Sequence, residues 1–270
     1  MRPAAWLTLV AVIVGTSLAT AVPASAALMA KKVRFIETNE KVIALTFDDG
    51  YSPGRSLQIA AILDRYGITG TFFPYANAVA GNESTWRSIA NRFPIGNHTI
   101  THGNLRRMTA AQVYEEIDGA RRIIENATGR RMVRVFRPPY MAYNDTVREQ
   151  AYRAGFETMT LWSVDSEDGL GLSAQRVYER AIGGSAGQIV LLHAGPPATV
   201  GALPRIIEHY RARGFRFVTI PEMLGMHWSR APGTNPPAQP PPAVGPTPPQ
   251  LLGSEPVYLR RWSALRAVPD

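Results

Sequence analysis

Val42-Ile43-Ala44-Leu45-Thr46-Phe47-Asp48-Asp49-Gly50 carries an apolar run straight into a pair of carboxylates and a glycine. A run bounded this way reads as a buried strand whose carboxyl end opens on a site. Side chains alternate across a strand, so adjacent aspartates reach one point only where the chain turns, and Gly50 permits that turn. Such a pair can divide its labour, one carboxylate holding a metal ion while the other takes a proton from water. Asp-Asp-Gly also serves as plain turn chemistry, so the other strand ends must decide.

The chain starts with Arg2, an apolar run from Trp6 to about Leu18, and Val22-Pro23-Ala24-Ser25-Ala26. These are the parts of a secretory signal with cleavage expected after Ala26, and the apolar run is short of the ~20 residues a membrane span needs. The mature form is therefore expected to be secreted or associated with a bacterial cell wall, without a membrane span. No cysteine is present, so no disulfide supports it and stability must come from a core. Loss of residues 1–26 removes only Arg2 and lowers the formal charge from +8 to +7. A basic exported protein suits an anionic wall polymer. Nucleic acid is not expected as a partner, because the basic residues are scattered as pairs such as Arg106-Arg107, Arg121-Arg122 and Arg130-Arg131, without a finger or recognition-helix pattern.

From Lys31 to Trp228 strand-like and helix-like segments alternate over about 200 residues, enough for one domain with a full core. After the first strand, the spacing predicts strands at 68–74, 94–97, 132–136, 158–164, 188–192 and 215–220. Helices are expected at 56–66, 84–93, 109–126, 146–154, 174–182 and 203–213. Thr109 with Gln112 three residues later forms a capping box for the clearest of these helices. The alternation implies an α/β fold with a parallel sheet covered by helices. Seven strands favour a closed or nearly closed (β/α) barrel, with a doubly wound open sheet as the alternative; either puts the site at the carboxyl ends of the strands. From Ala231 to Gln250, nine of twenty residues are proline and none is charged, which reads as an extended linker before a short tail, residues 251–270.

The strand ends share a chemistry. After the third strand come Asn97-His98-Thr99-Ile100-Thr101-His102, two histidines four apart, the spacing at which both imidazoles face one side of a helical turn and reach one ion. Two histidines and a carboxylate leave positions open for water and substrate, the catalytic form of a zinc site. The fourth strand ends in Arg137-Pro138-Pro139-Tyr140, where arginine can clamp a carboxylate and the prolines fix the backbone so that the Tyr140 N–H can point at an oxyanion. The fifth ends in Asp165-Ser166-Glu167-Asp168-Gly169 and the sixth in Leu191-Leu192-His193, a histidine that can act as a general acid if a carboxylate holds it. Phe72, Phe73 and Trp162 read as core; Tyr51, Tyr75 and Tyr143 fall just past strand ends, where a sugar ring can stack. His209 and His227 read as bystanders. Asn82, Asn97 and Asn126 open glycosylation sequons that carry no evidence of use.

Taken in order, these motifs resemble those of the NodB-type polysaccharide deacetylases, carbohydrate esterase family four, over about Val33 to Leu224. Thr46 to Gly50 matches the first motif, His98 to His102 the second, Arg137 to Tyr140 the third and Leu191 to His193 the fifth. The fourth is met in part, since Asp165 and Asp168 are present and Gly169 stands where tryptophan is usual. The resemblance implies a distorted (β/α) barrel of about seven strands, probed below, and a hydrolase acting on an N-acetylated polysaccharide such as peptidoglycan or a chitin-like chain. It implies that Asp49, His98 and His102 hold a divalent metal, zinc foremost and cobalt next. Asp48 would be the base that activates the metal's water, oriented by Arg137. Tyr140 would stabilise the oxyanion, Leu191 would line the acetyl pocket, and His193 would protonate the leaving amine, held by Asp165. A monomer is expected. An O-acetyl xylan esterase and a non-catalytic carbohydrate-binding wall protein are the alternatives.

Overall fold

The computed structural model describes residues 28–234. The expected signal segment, the linker beyond 234 and the 251–270 tail lie outside the described residues. In chain order the elements are β1 (Lys31–Val33), β2 (Val42–Asp49), α1 (Pro53–Arg65), β3 (Thr71–Pro74), α2 (Ala76–Val79), α3 (Glu83–Ala90), α4 (Ala110–Thr128) and β4 (Val135–Phe136). There follow α5 (Asp145–Arg153), β5 (Thr158–Thr160), β6 (Val164–Asp165), α6 (Ala174–Ala181), β7 (Gln188–His193), α7 (Pro197–Ala212), β8 (Arg216–Phe217) and α8 (Ile220–Met223).

β2 is the organising strand. It pairs in parallel with β3, β7 and β8, and β6 follows β7, while β1, β5 and β4 form a second sheet in that order. Two single parallel bridges, Phe72 to Ile95 and Asn97 to Phe136, carry the pairing from β3 to β4. Residues 158–165 then pair with β4 at their start and β7 at their end. The fold is thus α/β with parallel strands, as expected, but its ladder is broken into two sheets and is not one closed barrel. The strand expected at 94–97 is reduced to those two bridges. The strand expected at 158–164 is split in two, because the backbone leaves one neighbour for the other between Leu161 and Ser163, whose N–H groups bond Val33 and Ile189. β1 was not foreseen; Lys31-Lys32-Val33 has too little apolar content to read as a strand.

Alternation along β2 explains both its composition and its place. Ile43, Leu45 and Phe47 enter the largest apolar cluster, with Ile59 and Leu63 of α1 and Leu203, Ile206 and Ile207 of α7. Val42 and Ala44 face the other way, into a cluster with Phe73, Val135, Ile189 and Val218. Both faces are covered, so the strand has no polar residue before Thr46. Thr46 and Asp48 continue the Val42–Ala44 face by the two-residue period, which puts Asp48 at the mouth of the inter-strand core. A third cluster packs Val113 and Ile117 of α4 and Val147 and Ala151 of α5 against Phe136, Met159 and Leu161. α4 starts at the expected capping box and stops at Gly129, which is left-handed with φ 68°.

Gly50 is the tightest point of the turn after β2. It has φ +74°, and a Cβ there would lie 2.2 Å from Cζ2 of the buried Trp86. Gly81 has a similar φ of +80° with nothing within 4 Å. Gly81→Ala is therefore expected to cost only the left-handed penalty of about 1–2 kcal/mol. Gly50→Ala adds overpacking worth about 1–3 kcal/mol more. Urea denaturation of the two variants checks the difference.

Candidate active site

The strand ends converge on one point. At the end of β2 the chain turns on Asp49 itself, which has φ 70°, before Gly50 at φ 74°. Asp48 thereby keeps its inward strand position while Asp49 swings to the same side. The turn was expected at the glycine; the structure begins it one residue earlier, on a residue type that tolerates the left-handed region.

Asp49 Oδ1 lies 3.1 Å from His102 Nε2 and 3.5 Å from His98 Nε2. The ligand atoms of these three residues all fall within 4.8 Å of one another. The two histidines do not meet by helical spacing. Residues 98–102 form an irregular loop in which Thr99 and His102 are left-handed, at φ 72° and 61°. The i, i+4 pair is brought together by the loop's folded backbone.

The donor set fits a cation. His98 Nδ1 is 2.7 Å from the carbonyl oxygen of Arg137, which can only accept, so Nδ1 carries the hydrogen and a neutral ring has a bare Nε2. That lone pair faces the Asp49 oxygen, which is buried and accepts no hydrogen bond among the described residues. Two electron-rich atoms held against each other in the interior are unfavourable until a positive ion sits between them. Tetrahedral ligands about 2.0–2.2 Å from zinc stand roughly 3.4 Å apart, close to the separations here. His102 Nδ1 meets the Tyr140 hydroxyl at 3.0 Å.

Beside this cluster, Asp48 is almost fully buried and one of its oxygens accepts from Arg137 Nη1 at 2.7 Å. Arg137 has no exposed surface. Its Nη1 also reaches Thr46 Oγ1 at 2.9 Å, Nε donates to the Thr160 carbonyl at 3.1 Å, and Nη2 to that of Leu161 at 3.2 Å. The guanidinium lies 4.3 Å from the Phe73 ring centroid. Burial lowers the Arg137 pKa, and Asp48 opposes that shift. The other Asp48 oxygen is left toward the site, 3.9 Å from His98 Nε2.

Asp48 and His193 are direct partners in the β2–β7 register. The carboxylate that holds His193 is Asp168, not Asp165 as expected. His193 Nδ1 is 2.6 Å from Asp168 Oδ1, and Asp168 Oδ2 accepts the His193 N–H at 2.8 Å and the Thr199 hydroxyl. Asp165 instead accepts Trp162 Nε1 at 3.0 Å and the Glu167 N–H at 2.9 Å. The reason is local. β6 ends at Asp165, and Glu167, left-handed at φ 52°, folds the chain back so that the turn at 168–170 delivers Asp168 to β7. Both aspartates were visible in the sequence, but their spacing alone does not select between them; the Glu167 turn does. The hydroxyls of Thr46 and Thr199 complete these two pairs; Thr46 stood in the first motif without an assigned role, and Thr199, an isolated threonine, carries no pattern.

Leu191 is buried in β7, opposite Thr46 and Asp165 in register. Tyr140 and Met141 are consecutive left-handed residues, at φ 57° and 55°, and the Tyr140 side chain is exposed. A Cβ at Gly169 would sit 3.7 Å from the His193 ring, so the glycine leaves that side of the imidazole open. Phe72 and Phe73 are core residues, Trp162 is partly buried, and Tyr51 is half exposed beside Gly195. The sequon residue Asn97 is fully buried, with its amide on the Ile117 carbonyl at 2.8 Å, and is closed to glycosylation. His209 packs against the rings of Tyr178 and Tyr210, away from these residues in the fold.

Burial would lower the His193 pKa, but Asp168 outweighs it, and the imidazole is raised from 6.5 to about 9. The pairing therefore stabilises the fold below pH 6.5 and loses that contribution as pH rises through about 9. In Asp168→Asn burial acts without the carboxylate, so the alkaline limb of kcat/KM is expected to move down by about 1–3 pH units. A pH–rate profile of the variant against wild type reads this directly, and an unmoved limb contradicts the pairing's role.

Comparison with known proteins shows the family to which the chain belongs. The profile of the family described as "Polysaccharide deacetylase" matches residues 36–159. A solved CE4 family pseudoenzyme from Bacillus anthracis superposes with a TM-score of 0.68 at 26% identity, over 73% of this chain and 70% of that one. A bifunctional xylanase/deacetylase of Pseudobutyrivibrio xylanivorans is 33% identical over 192 residues, 70% of this chain but 31% of the relative's length. A peptidoglycan-N-acetylglucosamine deacetylase of Bacillus cereus is 31% identical over 195 residues, 70% of this chain and 91% of the relative. The chain belongs to the polysaccharide deacetylase family, the NodB-type carbohydrate esterases of family four, and is a deacetylase hydrolase.

Proposed function

We propose that this protein removes N-acetyl groups from an N-acetylglucosamine-containing cell-wall polysaccharide, peptidoglycan foremost, in a metal-dependent hydrolysis outside the cell. The observation that carries the reading is the Asp49–His98–His102 cluster, set beside a buried carboxylate and a carboxylate-held imidazole. Zinc or cobalt bound by these three side chains would supply a Lewis acid and acidify a water molecule. The residues of the chain do the rest. Asp48, fixed by Arg137 through one oxygen, presents the other to take the proton of the attacking water. The Tyr140 N–H, at the strained turn after β4, would donate to the oxygen that gains charge. Leu191 would line the pocket for the methyl group. His193, held at Nδ1 by Asp168, offers Nε2 as the acid that protonates the departing amine, so that a neutral amine leaves. Asp165 does not touch these atoms and would act only by holding Trp162 beside Arg137.

Two observations bear on the substrate. Arg106 and Arg107 are exposed on the turn that follows His102, a turn fixed by buried Leu105 and capped by Asn104. Most arginines among the described residues meet a carboxylate, a carbonyl or a ring, whereas the guanidinium groups of these two meet none. Two available cations near the site favour a glycan that carries carboxylates over neutral xylan. The likeness to a xylanase/deacetylase keeps O-acetyl xylan as the second reading. A basic chain with an expected signal segment suits export to the wall, and no helix among the described residues is long and apolar enough to cross a membrane.

Acetate release from peptidoglycan, chitin oligosaccharides and acetylated xylan, with chelator and with restored zinc or cobalt, tests the reading. Metal-dependent release, fastest from peptidoglycan, is expected; release from xylan alone would establish the second reading, and no release despite bound metal would leave a carbohydrate-binding wall protein. Asp48→Asn is expected to abolish turnover and keep the metal, whereas His98→Ala loses both. Full activity in Asp48→Asn, or metal loss in both variants, would overturn the assigned roles.

A further inference from the structure

The loop between the two histidines has every reason to be unstable. It is irregular, contains two left-handed residues that are not glycine, and must hold both imidazoles against one carboxylate. The N–H groups of residues 99–102 are nevertheless all bonded. The Thr99 N–H bonds the Asn97 side chain at 2.9 Å, and the His102 N–H bonds the Thr99 hydroxyl at 3.1 Å. The carbonyls of Thr99 and Ile100 accept from the N–H groups of Ala76 and Asn77, at the start of α2, at 2.9 and 3.1 Å. The two N–H groups that remain, those of Ile100 and Thr101, both donate to one atom, Oε2 of Glu116, at 3.0 Å each. Glu116 Oε1 accepts the Thr101 hydroxyl at 2.9 Å.

Glu116 belongs to α4, and its neighbours on that helix shape the same seat. The Ile117 carbonyl holds the Asn97 amide, immediately before His98. Gly119 leaves room for Ile100, since a Cβ there would lie 2.6 Å from Ile100 Cδ1. One face of α4 thus supports the loop at its start and at its centre.

From this we infer that Glu116 is a positioning residue for the metal centre, setting the distance and direction between His98 and His102 through the backbone that joins them. The inference rests on the metal-dependent reading above. Glu116 touches neither ligand. Its effect is to fix the rigid frame from which both project, and outer partners of this kind typically govern metal affinity by about 10–100-fold. Its reach is what matters: the carboxylate must bridge two consecutive N–H groups and a hydroxyl at once. A glutamine preserves all three contacts, with its carbonyl oxygen accepting both N–H groups and its amide facing the Thr101 hydroxyl. An aspartate keeps the charge and is one methylene too short.

The test compares Glu116→Gln and Glu116→Asp with wild type, by zinc affinity in competition with a chromophoric chelator, by the visible spectrum of the cobalt-loaded protein and by the melting midpoint of the metal-free protein. Glu116→Asp is expected to bind zinc at least about 10-fold more weakly, with an altered cobalt spectrum. Glu116→Gln is expected to stay near wild type in both. The metal-free midpoint separates this from general loss of structure, because a merely structural role would lower it without changing the cobalt spectrum of the folded fraction. Wild-type affinity and spectrum in Glu116→Asp, or equal losses in both variants, overturn the inference. Wild-type protein that takes up no zinc at all overturns the metal reading and this inference with it.

Discussion

The contact on which the rest depends is the ion pair between Asp48 and Arg137, closed off from solvent inside the strands. Two buried charges cost several kcal/mol each in lost hydration, and the pair is tolerable only when its remaining hydrogen-bonding groups are satisfied. Arg137 meets that demand with carbonyls of residues 160 and 161 and the hydroxyl of Thr46, as well as the face of Phe73. In doing so it ties the end of β2 to the end of β5 from its own position after β4. The same satisfaction fixes Asp48: a rotamer that left Arg137 would strand a buried cation. Orientation of the Asp48 carboxylate is thus a by-product of holding the core together.

This requirement also accounts for where the ladder breaks. The carbonyls of Thr160 and Leu161 serve Arg137, and the Leu161 and Ser163 N–H groups turn to strands on opposite sides. Backbone groups committed to a side chain are not available to a regular ladder, so β5 and β6 stop short of joining. Irregularity of another kind gathers at the mouth. Asp49, Thr99, His102, Tyr140, Met141 and Glu167 are the non-glycine residues with positive φ among those described, and all lie at or beside the Asp49–His98–His102 cluster or the His193–Asp168 pair. Strained conformations persist only where their surroundings over-determine them. The strands beneath, and α2 and α4 beside the loop, are what over-determine these.

Much of this was legible beforehand, for definite reasons. β2 announced itself because both its faces are covered, and α4 because its cap is a local sequence device that tertiary packing did not override. That Asp49, His98 and His102 converge was legible because few residue types can hold a metal, and their types and order stood out at the strand ends. What escaped depends on backbone direction, which residue types report weakly. Asp165 and Asp168 are chemically equivalent in a sequence, and only the left-handed Glu167 decides which one meets His193. The histidine pair suggested a helical turn that does not exist, because a loop can converge what a helix would. Residues 95–97 form only two single bridges, one to each neighbouring strand, and Gly96 and Asn97 are residue types that strands disfavour.

The positions of the proposed acid and base follow from the same geometry. Asp48 and His193 sit side by side on neighbouring strands, roughly 5 Å apart at the backbone, and each has its rear atom occupied. Arg137 takes one oxygen of Asp48, and Asp168 takes Nδ1 of His193. The free oxygen of one and Nε2 of the other are what remain, and both lie at the carboxyl ends of their strands. The fold thus places opposite charges behind two adjacent strand ends, the arrangement that the proposed roles of base and acid require.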